Sequence, residues 1–257
     1  MIHPSAIIHE TAKVDSSVQI GPWTYIGAEV EIGAGTIVGP HVCIEGPTTL
    51  GQNNHIHPYA SIGGDPQDKK YEGGKTRLEI GDSNSIREFV TINRGTEQGG
   101  HVTRLGNHNL LMAYVHVAHD CIIGDHAIFA NNASLAGHVI VHDHAILSGF
   151  SAVHQFAIIG EHSFVAHAGM VGQDVLPYVL VSGDPAEPYG INSLGIKRRG
   201  FTEEQIAAIK SAYKIIFRQG LKSAEAVEKL KEMLAKHPEI APMLQALENP
   251  SARGIAR

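Results

Sequence analysis

The sequence predicts a parallel β-helix that ends in a small α-helical domain, and two periodicities carry that prediction. An aliphatic residue stands at every sixth position through most of the chain. After Val171 that period gives way to helix caps and helical spacing. A third observation bears on function: 28 glycines and 17 histidines in 257 residues are unevenly placed.

The six-residue period runs through Ile8, Val14, Ile20, Ile26, Ile32, Val38, Ile44, Leu50, Ile56 and Ile62. It returns at Ile80, Ile86 and Ile92, then continues through Leu105, Leu111, Val117, Ile123, Phe129, Leu135, Val141, Leu147, Val153, Ile159, Val165 and Val171. Six residues are too few for a helix hairpin but enough for one short strand and a turn. Three such units close a triangular coil of 18 residues, so residues 18 apart stack about 4.8 Å apart. The aliphatic points inward, and in the first run, through Ile62, a small or β-branched neighbour lies two residues before it, with Asn54 the exception. Glycine often follows the aliphatic, as at Gly21, Gly27 and Gly33, and is expected at the corner, where φ is positive. The period does not determine the hand of the coil.

Two polar segments break the period, at about residues 64–77 and 94–104. Neither supplies inward aliphatics, so both are expected as loops extruded from the prism, where binding groups are often carried. The repeat dissolves through Pro177, Pro185 and Pro188. Thr202-Glu203-Glu204-Gln205 is a capping box, followed by Ile206, Ile209, Ala212, Tyr213 and Phe217 at helical spacing. Ser223 opens a second helix, halted near Pro238, and a short third covers Leu244 to Leu247. The domain expectation is 1–188 for the β-helix and 189–257 for the α-helical domain.

Composition narrows the function classes. A hydrophobic content of 43% excludes disorder, and no apolar run reaches the roughly 18 residues of a membrane span. Met1-Ile2-His3-Pro4-Ser5 has no signal-peptide pattern, and Cys43 and Cys121 are too few for a disulfide framework, so the expected location is cytoplasmic. A net charge of −6 argues against nucleic acid as a partner.

Eleven histidines fall between 101 and 167. His119 follows the inward Val117 by two; 18 residues on is Gly137, beside His138, and 36 on is Gln155, beside His154. These groups therefore share one edge. A histidine base stacked against a glycine backbone N–H suits proton abstraction and oxyanion stabilisation. Asp120 adjoins His119, but spacing alone does not make them a dyad. Three readings fit a histidine-rich β-helix: a metal-free acyltransferase, a three-imidazole zinc site as in γ-class carbonic anhydrases, or a purely structural or ice-binding solenoid. The broken coils and polar loops speak against the last.

The residues Val115-His116-Val117-Ala118-His119-Asp120-Cys121, Asn131-Asn132-Ala133-Ser134-Leu135-Ala136-Gly137-His138 and Val153-His154-Gln155-Phe156 resemble the UDP-N-acetylglucosamine O-acyltransferase family. So do Ile86-Arg87-Glu88, Val90-Thr91-Ile92, Arg94-Gly95-Thr96 and Lys197-Arg198-Arg199-Gly200-Phe201. The resemblance covers nearly the whole chain. It implies a left-handed parallel β-helix and a homotrimer with sites between subunits. The implied reaction moves a (3R)-hydroxyacyl chain from acyl carrier protein to the glucosamine 3-hydroxyl of UDP-N-acetylglucosamine, the first step of lipid A biosynthesis, without metal or cofactor. It makes His119 the general base, Asp120 its orienting partner and the Gly137 N–H the oxyanion donor. Gln67, Asp68, Lys70, His116, His138, His154 and Gln155 are implied to line the sugar and acyl site. Asn192, Arg198 and Arg199 are implied to reach the nucleotide, and His167 to act as the acyl-chain ruler. The related N-acyltransferase is disfavoured, because it normally carries a large N-terminal domain and here the hexads begin almost at Met1. Departures are Asn93 where the family commonly has His, Leu194 where Glu is frequent, and Asp184 in place of Asn.

Overall fold

A computed structural model describes residues 1–257. Strands of two to six residues, most of them two, alternate with turns and assemble into three sheets of nine, eight and ten strands. Every pairing is parallel except the closing hairpin of Val179–Gly183 with Ala186–Ile191. The result is a left-handed parallel β-helix of triangular section. Its register is the predicted one: Val117 pairs with Leu135, and Leu135 with Val153. The inward aliphatics form three ladders, among them Ile26, Ile44, Ile62 and Ile92, each at most 1% exposed. Burying this stacked apolar surface is the main driving force for coil formation.

The two extruded loops occupy 65–76 and 94–101, slightly shorter than expected, because Arg77–Ile80 and Val102–Leu105 are strands. Paired residues normally lie 18 apart, but Ser61 pairs with Thr91 and Thr91 with His116. The first loop therefore inserts twelve residues and the second seven, and the stacking resumes without a slip.

The corners correct the glycine expectation. Twenty non-glycine residues adopt positive φ, including Trp23, His41, Asn53, Asp120 and His138, while Gly21, Gly27 and Gly33 do not. Gly21 and Gly33 are instead places of close approach: a Cβ on Gly21 would lie 2.6 Å from the Pro40 nitrogen, and one on Gly33 2.7 Å from Gly51. At the corners, Asn, Asp and His tolerate the left-handed conformation better than most side chains, and rings stack coil upon coil. One corner carries Trp23, His41, Tyr59, Phe89 and Tyr114 at centroid spacings of 4.9–5.1 Å. Another carries His108, His126, His144 and His162 at 4.6–4.9 Å. Asn54 begins an internal ladder with Asn84 and Asn109, whose amides satisfy backbone groups of neighbouring coils.

The boundary expected at 188 falls inside the strand Ala186–Ile191, and helix begins only after Asn192. Four helices follow: α1 (Ser193–Arg198), α2 (Glu203–Phe217), α3 (Ser223–Leu234) and α4 (Ala241–Glu248). The Thr202–Gln205 capping box forms as read. The short α1 was not foreseen, having too few residues to show a period. Helical residues such as Ile209, Leu230 and Met243 belong to the same buried cluster as the prism ladders. No helix is long and apolar enough to cross a membrane.

Candidate active site

Asp120 occupies a corner, at φ 59°, with its side chain fully buried. That conformation turns its carboxylate back toward His119, which the alternation of a strand would not do. The contact left open by spacing is present: His119 Nδ1 donates to Asp120 Oδ2 at 2.8 Å. Because a carboxylate only accepts here, the proton sits on Nδ1 and Nε2 carries the lone pair. His119 Nε2 has no hydrogen-bond partner in the chain, and the side chain is 13% exposed.

The second loop holds the carboxylate. Thr96 donates its N–H to Asp120 Oδ1 at 2.8 Å and its hydroxyl to Oδ2 at 2.6 Å. The Asp120 N–H donates to Thr103 Oγ at 2.8 Å. A Cβ on Gly99 would lie 2.0 Å from the Asp120 carboxyl carbon, so that position needs glycine for close approach. Thr96, Gly99 and Thr103 were not singled out for these contacts in the sequence. Thr96 and Gly99 lie in the irregular second loop and match no period with Asp120, while Thr103 lies just beyond it, 17 residues before Asp120 and one short of the coil repeat.

Gly137 lies one coil above His119. A Cβ there would sit 2.5 Å from His119 Cε1 and 2.7 Å from Nε2, so any larger residue would displace the ring. Gly137 is buried, and its N–H donates to no atom of the chain. An N–H with no acceptor in the chain and an Nε2 with no donor thus lie on adjacent coils of one corner, one donor and one acceptor left for a substrate.

His138 meets His119 edge-on at 5.2 Å, stacks on Phe156 at 4.5 Å, and puts Nε2 3.8 Å from Asp120 Oδ2. Burial lowers its pKa, opposed by the charges of Asp120 and Asp68. His116 Nδ1 hydrogen-bonds Thr91 Oγ1 at 2.7 Å, and burial, then His119, lowers its pKa. His154 donates Nδ1–H to the Gln155 carbonyl at 3.1 Å, leaving Nε2 outward. His154 also borders a shallow groove walled by Ala152, Val153, Met170, Val171 and Pro185, largely apolar in lining. His167 is exposed and stands edge-on to Phe150 at 5.8 Å, over Gly149.

Gln67 and Lys70 are exposed on the first loop, whose root is clamped by Arg94 to Gly63 and Asp65. The Asn93 side-chain amide donates a hydrogen bond to the Asp65 carbonyl at 2.8 Å, a use for the residue that departs from the family pattern. The nucleotide group is less uniform. Asn192 spends its amide within the chain, donating to the His162 carbonyl and capping α1 through the Gly195 N–H. Arg198 is exposed, whereas Arg199 is partly buried beside His144 and His162, with its pKa lowered by that burial.

The corners also explain much of the histidine surplus. Of the eleven histidines between 101 and 167, six (His101, His108, His126, His138, His144 and His162) are positive-φ corner residues, and only His138 of these joins His119. His119, Asp120 and His138 place one ligand atom each within 4.8 Å of one another, the only such group in the chain.

Comparison with known proteins places this geometry in company. Residues 174–256 match the model of UDP-N-acetylglucosamine O-acyltransferase domain 2, and residues 11–46 and 103–137 match bacterial transferase hexapeptide repeats. The chain is 53% identical to an acyl-[acyl-carrier-protein]–UDP-N-acetylglucosamine O-acyltransferase from Thiobacillus denitrificans, covering 100% of this chain and 99% of the relative. It is 50% identical to the protein of the same name from Halorhodospira halophila, with the same coverage. Its fold superposes on the structure of LpxA from Acinetobacter baumannii with a TM-score of 0.97 at 47% identity, covering 100% of this chain and 99% of that one.

Proposed function

The chain belongs to the UDP-N-acetylglucosamine O-acyltransferase family, and from that premise we propose how its residues carry out the reaction. It is an acyl-carrier-protein-dependent O-acyltransferase acting on UDP-N-acetylglucosamine, the first step of lipid A biosynthesis. The carbonic anhydrase alternative is withdrawn, because the relatives matched along the full length are acyltransferases.

The observation that carries the mechanism is His119, with Nδ1–H committed to Asp120 and Nε2 free beside the Gly137 N–H. Nε2 accepts the proton of the glucosamine 3-hydroxyl as its oxygen attacks the thioester carbonyl of a (3R)-hydroxyacyl chain. The Gly137 N–H donates to the oxyanion, and Asp120 stabilises the imidazolium. Collapse expels the carrier thiolate, which recovers the proton from His119. A thioester is already activated, so one base and one oxyanion donor suffice without metal, cofactor or covalent intermediate.

His116, His138, His154 and Gln155, with Gln67, Asp68 and Lys70 of the first loop, line the sugar and the start of the acyl chain. The charge of Asp68, which acts to raise the His138 pKa, supports that grouping. Arg198 and Arg199 engage the nucleotide. Asn192 acts there through its cap on α1, which carries Arg198. The groove beside His154 suits an acyl chain, and His167 limits its length. A homotrimer with sites shared between subunits is part of this reading, carried by the family resemblance. The free thiols of Cys43 and Cys121 suit a reducing cytoplasm.

The decisive experiment is His119→Ala, assayed with acyl-carrier-protein thioesters of graded length and UDP-N-acetylglucosamine. Turnover should fall about 10²–10⁴-fold with the coil intact by circular dichroism. Wild-type turnover in a folded variant would remove His119 from the reaction.

A further inference from the structure

The corner that holds the base also brings three potential metal ligands within 4.8 Å of one another, a grouping that the acyl transfer as described does not use as a set. We propose that His119, Asp120 and His138 bind a divalent transition cation of the zinc class, and that this cation inhibits the enzyme reversibly. The binding is independent of the reaction; only its inhibitory consequence rests on the acyltransferase reading.

Zinc takes imidazole nitrogen and carboxylate oxygen at about 2.0–2.2 Å in tetrahedral geometry, which separates neighbouring ligand atoms by about 3.3–3.5 Å. Around Asp120 Oδ2 the two imidazole nitrogens stand at 2.8 Å and 3.8 Å, bracketing that value. A small opening of one contact and closing of the other would seat the ion. The set is also prepared for a charge: the Asp120 side chain is fully buried, and two donors from Thr96 fix its plane. The His138 ring is steadied against Phe156 at 4.5 Å. Two imidazoles and one carboxylate suit zinc and its neighbours rather than calcium or magnesium, which prefer all-oxygen sites. Three protein ligands leave the fourth position to water.

The other histidines do not compete on equal terms. His108, His126, His144 and His162 stack with nearly parallel planes, 5–20° apart, so neighbouring nitrogens point alongside one another rather than at a common centre.

Inhibition follows from the tautomer. A neutral imidazole carries one N–H, and in the free enzyme His119 keeps it on Nδ1. The cation takes Nδ1, so that proton moves through solvent to Nε2. No proton is gained or lost overall, and nothing is oxidised. Nε2 becomes a donor, unable to accept the sugar proton, and Asp120 is engaged by the metal.

Cobalt(II) titrated into the metal-free full-length protein tests this with a readout that needs no turnover. The four-coordinate visible absorption should saturate at about one ion per chain and be displaced by zinc. Zinc should inhibit turnover and a chelator should restore it. In His138→Asn, which keeps a side chain tolerant of positive φ, the cobalt band should disappear. The zinc needed to halve that variant's own rate should rise about tenfold or more. His126→Asn, in the stacked column, should change neither readout. Nitrogen shifts of labelled histidines should show the His119 proton moving from Nδ1 to Nε2 as zinc is added, a measurement needing no variant. A cobalt band that survives His138→Asn or vanishes with His126→Asn would overturn the site, as would an unmoved His119 proton. If turnover were absent altogether, the cobalt and nitrogen readouts would still decide the metal site, while the acyltransferase reading alone would fail.

Discussion

Asp120 is the residue on which most of the site converges, and its neighbour Thr96 is the sharpest way to probe it. Thr96→Val removes the hydroxyl donor at 2.6 Å but keeps the backbone N–H and nearly the same volume. One donor fewer leaves the buried carboxylate under-solvated and the His119 ring less firmly aimed. The kcat should drop about tenfold or more with KM for the nucleotide sugar little changed, and Thr96→Ser should restore it. A KM effect without a kcat effect would place Thr96 in binding instead. His167 gives a second test at this scale. Each methylene of an acyl chain is worth about 0.8 kcal/mol when buried, and an imidazole replaces roughly two to four of them. The enzyme should therefore prefer chains of about ten to twelve carbons over fourteen, and His167→Gly should move the preference to longer thioesters. An unchanged length profile would show that the groove ends elsewhere.

Among the elements, the strands were the most legible and the corners the least. Inward ladders announce themselves at a period of six, so Ile62 and Ile92 were placed despite the loop between them. Positive φ at His108 or Asp120 has no such signature, because the residue type only permits the conformation and the closing coil imposes it. For the same reason the pairing of His119 with Asp120 was undecidable from spacing, while the alignment of His119 with Gly137 was read correctly. Thr96 lay beyond reach because a seven-residue insertion scrambles its register with Asp120. The stacked histidine corner also predicts a response to acid. Burial, then His144 and Arg199, holds the His162 pKa down to about 4 from its ordinary 6.5, with Asp143 opposing. The unfolded chain thus binds this proton more readily than the folded one. The neutral ring's stabilising contribution is complete above pH 6.5, declines as pH falls through that value and levels off near 4. His162→Phe, a ring that the Phe156 corner already accommodates, should flatten part of this acid limb in denaturant melts between pH 7.5 and 4.5. An identical pH dependence in the variant would assign the acid sensitivity to other groups.

At the scale of the whole molecule, prism and helices share one buried cluster running from Val18 to Leu247. Phe129 is the largest fully buried side chain in it, stacked between Leu111 and Leu147. Phe129→Ala should cost about 3–5 kcal/mol, and helical and sheet signals should be lost in a single shifted transition, because the tail has no separate core. Two separated transitions would show that the tail folds by itself. The loops have a different consequence, for descent rather than stability. Because the chain leaves the coil at a corner and rejoins it in register, as Ser61 and Thr91 show, an excursion of any length is invisible to the ladders above and below. A lineage built on such a scaffold can lengthen, shorten or exchange the segments that meet the substrate while inheriting the base and its glycine unchanged. A single residue inserted within a strand would instead turn every later aliphatic outward. Variation in such proteins is thus channelled to the places where it alters recognition and spares the fold.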